Sequence, residues 1–287
     1  MSENAAPAGL PDLARSLRRQ DHDRFLTTLF APAAARSALL ALYALNYEVA
    51  KTREVVSEPM LGRIRLQWWR DSLDAIYTGA PVRRHEVLEP LAEAIRERGL
   101  SRGHFETLIT ARERDLENEA PESLVALEDY AEASSATLVL LALETLGEAG
   151  SAAREAGRAV GIAYALTGLL RAVPFHARAK RLYLPRALCE AAGLDIDRGL
   201  FELKPSPALA QVVEAVALRA AFYLAAAREV AAKLPRAALP ALLPAVLARA
   251  DLARLARGGY DPFAPQLRTV DPWRAWRLGW AALCGRF

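Results

Sequence analysis

The chain has 287 residues, 53% hydrophobic and 25% charged, enough to bury the core of one large or two ordinary domains as a globular, Ala- and Leu-rich helical protein. A net charge of +3, with no basic stripe interleaved with stacking aromatics, excludes a nucleic-acid binder. Cys189 and Cys284 form no CxxC, and His22, His85, His104 and His176 show no HExxH, so both thiols are expected to be structural in a reduced compartment and no zinc site is expected.

The opening "MSENAAPAGLPDLARSLRRQDHDRF" lacks the apolar core of a signal peptide. Residues 1–20 are expected to be poorly ordered, ahead of one all-α domain over 21–287. Helical periodicity predicts helices near 32–54, 60–78, 86–98, 103–119, 121–147, 151–173, 208–234, 239–256 and 272–283, and no β alternation is convincing. Pro59, Pro81, Pro121, Pro174, Pro207 and Pro272 mark breaks, because proline fixes φ and lacks the N–H a helix needs. Apolar runs such as 137–147 are too short to span a bilayer, so the chain is expected to be cytoplasmic, with peripheral membrane contact left open.

Four blocks carry unusual chemistry. In "LYALNYEVAKTREVVSEPMLGRIRLQWWRDSLDAIY" (42–77), Glu48, Arg53, Glu54, Glu58, Arg65 and Arg70 punctuate apolar helices around Gln67, Trp68 and Trp69. Solvated faces with a tryptophan anchor are the ordinary reading; a polar network facing a cavity is the functional one. In "ITARERDLENEA" (109–120), Arg112, Glu113, Arg114 and Asp115 alternate as on a solvated helix face, or join that network. Gly157, Gly161 and Gly168 interrupt a helix at about 1 kcal/mol each against Ala, which implies close helix approach or a lined cavity. Then "LLRAVPFHARAKRLYLP" (169–185) turns strongly basic, and no Asp or Glu occurs from Ala156 to Cys189.

Taken in order, "LYALNYEV…LQWWRDSLDAIYTG", "ERDL…LEDYAEASSATL" and "GIAYALTGLLRAVPFHARAKRLYLP" resemble the squalene/phytoene synthase family over about residues 24–250. The resemblance implies a single isoprenoid-synthase-type helical domain with a central cavity, and head-to-head condensation of two prenyl diphosphates. That reaction uses two Asp-rich motifs, each placing carboxylates at i,i+4 to hold Mg²⁺. Here the first motif position falls on Ala50 and Glu54 and the second on Ala172 and His176, while Gly168 replaces the usual Asn. One carboxylate of four survives, and each lost metal contact forfeits roughly several kcal/mol of charge stabilisation. No catalytic residue, metal site or cofactor is therefore expected.

A narrower resemblance, carried by "EVAKTREVVSEPMLGRIRLQWW", "RERDLENEA", "LLRAVPFHARAKRLYLP" and "YDPFAPQL", is to squalene/phytoene synthase-like assembly factors of respiratory complex I. It implies complex I subunits or other assembly factors as partners. It also implies action at the inner face of the inner membrane, or the matrix side in a mitochondrion. On this reading Arg65 and Arg171 pair with Glu48, Glu54 or Glu58 in a polar network that includes Arg53, Gln67, Trp69, Glu113 and Arg114, and direct ion pairs replace the metal clusters. Two alternatives stand beside it. One is a prenyltransferase that recruits Glu113, Asp115, Glu117 or Glu119 for Mg²⁺. The other is a carrier of isoprenoid or anionic lipid whose head meets Arg178, Lys180, Arg181 and Tyr183. Finally, Trp273, Trp276, Trp280 and Leu283 fall on one face of the last helix. Docking of that face into the core is the expected arrangement, and an interfacial membrane helix is the alternative.

Overall fold

The structure is a computed structural model and describes residues 10–231, 233–267, 269 and 271–287. Its helices in chain order are α1 (Leu10–Gln20), α2 (His22–Thr28), α3 (Ala33–Ala50), α4 (Thr52–Val55), α5 (Pro59–Thr78), α6 (Leu88–Arg98), α7 (Arg102–Glu113) and α8 (Leu124–Ala131). After a π-helical turn at Glu132–Ala136 come α9 (Thr137–Thr145), α10 (Ser151–Arg171), α11 (Val173–Arg178), α12 (Arg186–Ala191), α13 (Pro207–Ala231), α14 (Leu239–Leu242), α15 (Pro244–Arg257) and α16 (Arg274–Cys284). No strand occurs among the described residues, as the periodicity predicts.

Burial explains the arrangement. From Ala38 to Asn46 every residue of α3 is buried, and a helix that is apolar all round belongs inside. It packs against α1, α6 and α9, while α10 lies along α13, α15 and α9. By length and composition α13 could cross a membrane, which the expectation from apolar run length missed. Its stripe Leu209, Val212, Val213, Val216 and Ala220 is buried and packs on α10, as in the core helix of a globular domain.

The glycines of α10 divide between both expected uses. A Cβ on Gly161 would strike the Ala136 backbone in the π turn, and one on Gly157 would come within 2.6 Å of Leu143 Cδ1. Gly168 faces open space and lines a pocket instead.

Several boundaries differ from the prediction for local reasons. Residues 10–20 are not loose: Leu13 and Leu17, one turn apart, are buried where α1 meets α3, and residues 1–9 lie outside the described residues. The chain does not abandon the helix at Pro174, because α10 ends at Arg171 and Pro174 enters the first turn of α11, where its missing N–H costs nothing. Helix 32–54 is interrupted at Lys51, and helix 239–256 at Leu243, ahead of Pro244.

Candidate functional site

At the first motif position, Ala50 closes α3 and Glu54, on α4, is exposed to solvent. The half-buried Glu48 takes over the polar role. Lys51 Nζ donates to its Oε1 at 2.5 Å, and Arg65 Nη2, reaching from α5, donates to its Oε2 at 2.7 Å. Glu58 is exposed at the start of α5, and so is Gln67, which donates to Asp71 at 2.7 Å. Trp69 is buried in the core, edge-on to Trp68 and His85. Arg53 is half-buried with its Nε unpartnered among the described residues.

At the second motif position, Ala172 caps α10 and His176 sits on α11 with its ring 4.4 Å from that of Tyr183. Tyr183 and Tyr130 both donate to Asp115 Oδ1, at 3.0 and 2.8 Å, and Arg112 donates to Tyr130 Oη at 2.9 Å. Of the four alternating charges at 112–115, Arg112 and Asp115 therefore turn inward. Glu113 and Arg114 do not belong to that cluster: Arg114 is exposed, and Glu113 accepts from Arg70 at 2.5 Å in a clamp between α5 and α7 that also holds Glu106. Helix phase explains the sorting, since residues three apart share a face and adjacent ones do not.

Burial, aided by the charge of Arg181, pushes the His176 imidazole down to about 4. Its unfolded counterpart titrates near 6.5, so between these values the unfolded chain binds the extra proton. Stability then falls as pH falls through that window, by up to about 1.4 kcal/mol per pH unit. Replacing His176 with phenylalanine is expected to flatten this limb in urea unfolding run across pH. The separate loss below the ordinary carboxylate range should remain, because Asp23, Glu128, Glu144 and Asp271 are all held below their usual values.

Arg171 does not meet Glu48, Glu54 or Glu58. Its Nη1 lies 3.1 Å from Asp251 Oδ2 and 3.6 Å from Asp23 Oδ2, carboxylates on α15 and α2. Both also bind Arg274 of α16. Arg274 Nε and Nη2 donate to the two Asp23 oxygens at 2.5 Å each, and its Nη1 donates to Asp251 Oδ1 and Oδ2 at 3.0 and 3.1 Å. Burial alone would raise the Asp23 carboxyl, but the Arg274 hydrogen bonds and the charges of Arg274 and Arg171 outweigh it and hold it below its usual value. Two carboxylates and two guanidiniums thus neutralise one another at the C-terminal end of α10, where every buried charge finds a partner.

Beside this network opens a pocket of about 760 Å³, lined by Arg171, Arg178 and Arg254, by the acids Asp251 and Asp271, and by the apolar Phe175, Leu255 and Phe263. Of the proposed anion-binding residues, Arg178 is exposed at this pocket, Lys180 is exposed with Nζ 5.2 Å from the Phe201 ring centre, and Arg181 is half-buried near His176. Tyr183 spends its hydroxyl on Asp115. The four do not converge on one point.

Sequence reasoning missed Asp23, Asp251 and Arg274. One signal was present: Asp251 is the sole acid between Glu229 and Asp261, on a helix whose other charged residues are all arginines. It also missed the buried Glu128, held by Arg219 at 2.7 and 2.9 Å and by Tyr223 at 2.6 Å.

Comparison with known proteins identifies the family and the fold. Complex I assembly factor 6 of Bos taurus is 32% identical over 252 residues, 88% of this chain and 75% of that protein. The Homo sapiens protein is 30% identical over the same shares. Among solved structures, a squalene synthase from Alicyclobacillus acidocaldarius superposes with a TM-score of 0.78 at 21% identity, covering 88% of this chain and 95% of that one. A dehydrosqualene synthase does so at 0.84 and 19% identity, covering 96% and 95%. The squalene/phytoene synthase family profile matches residues 17–277, nearly the whole described helical domain, and the chain belongs to that family.

Proposed function

We propose that the chain assists assembly of respiratory complex I and turns over no prenyl diphosphate. The first half is supported by relatives named as complex I assembly factor 6, about 30% identical over most of the chain. The second half is carried by one observation, the donor set where the family holds Mg²⁺. Ala50 and Ala172 offer methyl groups, Glu54 is exposed, and both oxygens of Glu48 are engaged by cations. His176 is an imidazole against a tyrosine ring. Hard divalent cations need several oxygen ligands, so these residues do not fit a Mg²⁺–diphosphate centre. Among the described residues no three His, Cys, Asp or Glu side chains gather in metal-binding geometry. By this reading the chain acts where the peripheral part of complex I is built, on the cytoplasmic face in a bacterium or the matrix face in a mitochondrion.

The test is diphosphate release from farnesyl and geranylgeranyl diphosphate with Mg²⁺ or Mn²⁺, beside an active family enzyme. Release at background is the expected result. Turnover abolished by Asp115→Asn or Glu54→Gln would overturn the non-catalytic half. Separately, deletion of the gene is expected to lower assembled complex I, and a strain with normal complex I would overturn the assembly half.

A second reading, carriage of an isoprenoid or anionic lipid, is favoured by the 760 Å³ pocket, which offers arginines to a phosphate and an apolar wall to a chain. Native mass spectrometry of the purified protein checks it, because a co-purifying lipid lost in Arg178→Glu would support carriage.

A further inference from the structure

The C-terminal helix α16 does not dock its tryptophans. Residues 274, 278 and 281, spaced four and three apart, are buried, and α16 packs against α15 and α2. Trp273, Trp276, Trp280 and Leu283, spaced three, four and three, are 61%, 67%, 60% and 70% exposed. At 3.6 residues per turn the two stripes lie roughly 150° apart, so nearly the whole aromatic face looks away from the core. The expectation that these rings fill the core is therefore corrected: the narrow side bearing Arg274 anchors the helix through the Asp23–Asp251 network, and the broad apolar side is left in solvent. Leu29 and Phe30, which follow α2, are exposed as well.

We infer that this face docks on the surface of an anionic lipid bilayer. Three observations favour lipid over a protein partner. First, three of the five tryptophans of the chain occupy this single stripe, and tryptophan is the side chain best suited to a bilayer interface, its ring apolar and its N–H able to reach headgroups and water. Second, charge is segregated. Residues 230–287 carry nine Lys and Arg against three Asp, a formal +6 in a chain whose total is +3. Two of those acids, Asp251 and Asp271, are buried in ion pairs, so outward-facing charge in this region is dominated by arginine. Third, Arg228, Arg236 and Arg286 line a pocket of about 400 Å³ together with Leu234, Leu239 and Phe287, and among the described residues no acidic side chain lines it. Arg236 donates to the carbonyl oxygens of Ala282 and Leu283, which fixes this basic pocket at the C-terminal end of α16. An aromatic stripe ending in a basic pocket matches the two layers of an anionic membrane surface, acyl–headgroup boundary and phosphate. The inference is independent of the complex I reading and would hold for a lipid carrier equally.

The experiment is vesicle co-sedimentation of the full chain with phosphatidylcholine alone and with added phosphatidylglycerol. Wild type is expected to bind the anionic vesicles, less so in high salt. Trp276→Ser with Trp280→Ser is expected to weaken that binding about tenfold or more. Arg228→Gln with Arg286→Gln is expected to reduce the preference for phosphatidylglycerol while keeping the tryptophans in contact, read as quenching by brominated lipid. All four side chains are exposed, so thermal unfolding should be unchanged and serves as the folding control. Failure of wild type to bind, or equal binding by the tryptophan variant, overturns the inference. So does a wild-type oligomer that the tryptophan variant converts to monomer while vesicles are ignored, since that assigns the face to a second copy of the chain.

Discussion

Replacing Arg274 with alanine is expected to destabilise the protein by about 3–5 kcal/mol, the usual cost of removing one partner from a buried ion pair. The size follows from what would be left behind. Arg274 makes four hydrogen bonds to Asp23 and Asp251, and its side chain is only 7% exposed. Without it, Arg171, which is 48% exposed and approaches each carboxylate through a single nitrogen, is the remaining cation, and Asp23 keeps besides it the Tyr164 hydroxyl at 3.2 Å. Arg171→Ala should therefore cost about 1 kcal/mol or less, as half-exposed pairs do. Lysine at 274 keeps the charge but lacks the planar fork that spans two carboxylates, so its loss should fall between the two. Equilibrium urea unfolding of the three variants reads the order directly. Equal losses for Arg274→Ala and Arg171→Ala would show that the network does not tie α16 to the domain.

Gly161→Ala is expected to cost about 2 kcal/mol, although helix propensity alone predicts a gain. Alanine is favoured over glycine in a helix interior by about 1 kcal/mol. Against that, the new Cβ would meet the Ala136 Cα and N, backbone atoms of the π turn that cannot swing aside as a side-chain tip can. Overpacking of this kind costs up to about 3 kcal/mol, so sterics win. Seven residues on, the same change reverses sign. At Gly168 nothing lies within 4 Å of the new Cβ, and Gly168→Ala should stabilise by up to about 1 kcal/mol. Thermal unfolding of the pair separates close approach from cavity lining on one helix.

Periodicity made the helical architecture legible, because burial repeats every 3.6 residues and α10 and α13 show it over long spans. Short helices escaped. In α1, Leu10, Leu13, Ala14 and Leu17 do keep helical spacing, but over only 11 residues of a charge-rich stretch, and α11 hides behind Pro174, which reads as a stop although it is tolerated in a first turn. Within the site, a partner for Arg65 among Glu48, Glu54 and Glu58 was legible, and the structure selects Glu48. The partners of Arg171 were not. Asp23 sits in a charged stretch where any acid looks solvated, and nothing in local spacing couples it to α15 or α16. Likewise, Arg112 and Asp115 differ from Glu113 and Arg114 only in helix phase, which a few residues of drift at a predicted boundary erase.

The Asp23–Arg274 pair spans 251 residues of chain. On a ribosome adding about 5–20 residues per second, Asp23 waits roughly 10–50 s for its partner. Arg171 is made earlier and offers Asp23 a first, half-exposed partner, but Asp251 comes only 23 residues ahead of Arg274, so the four-charge network cannot close until translation is nearly finished. A contact this distant in sequence makes the closing step of folding slow and places it last. A chain truncated ahead of Arg274 is left with Arg171 as the one guanidinium between α2 and α15 in this network.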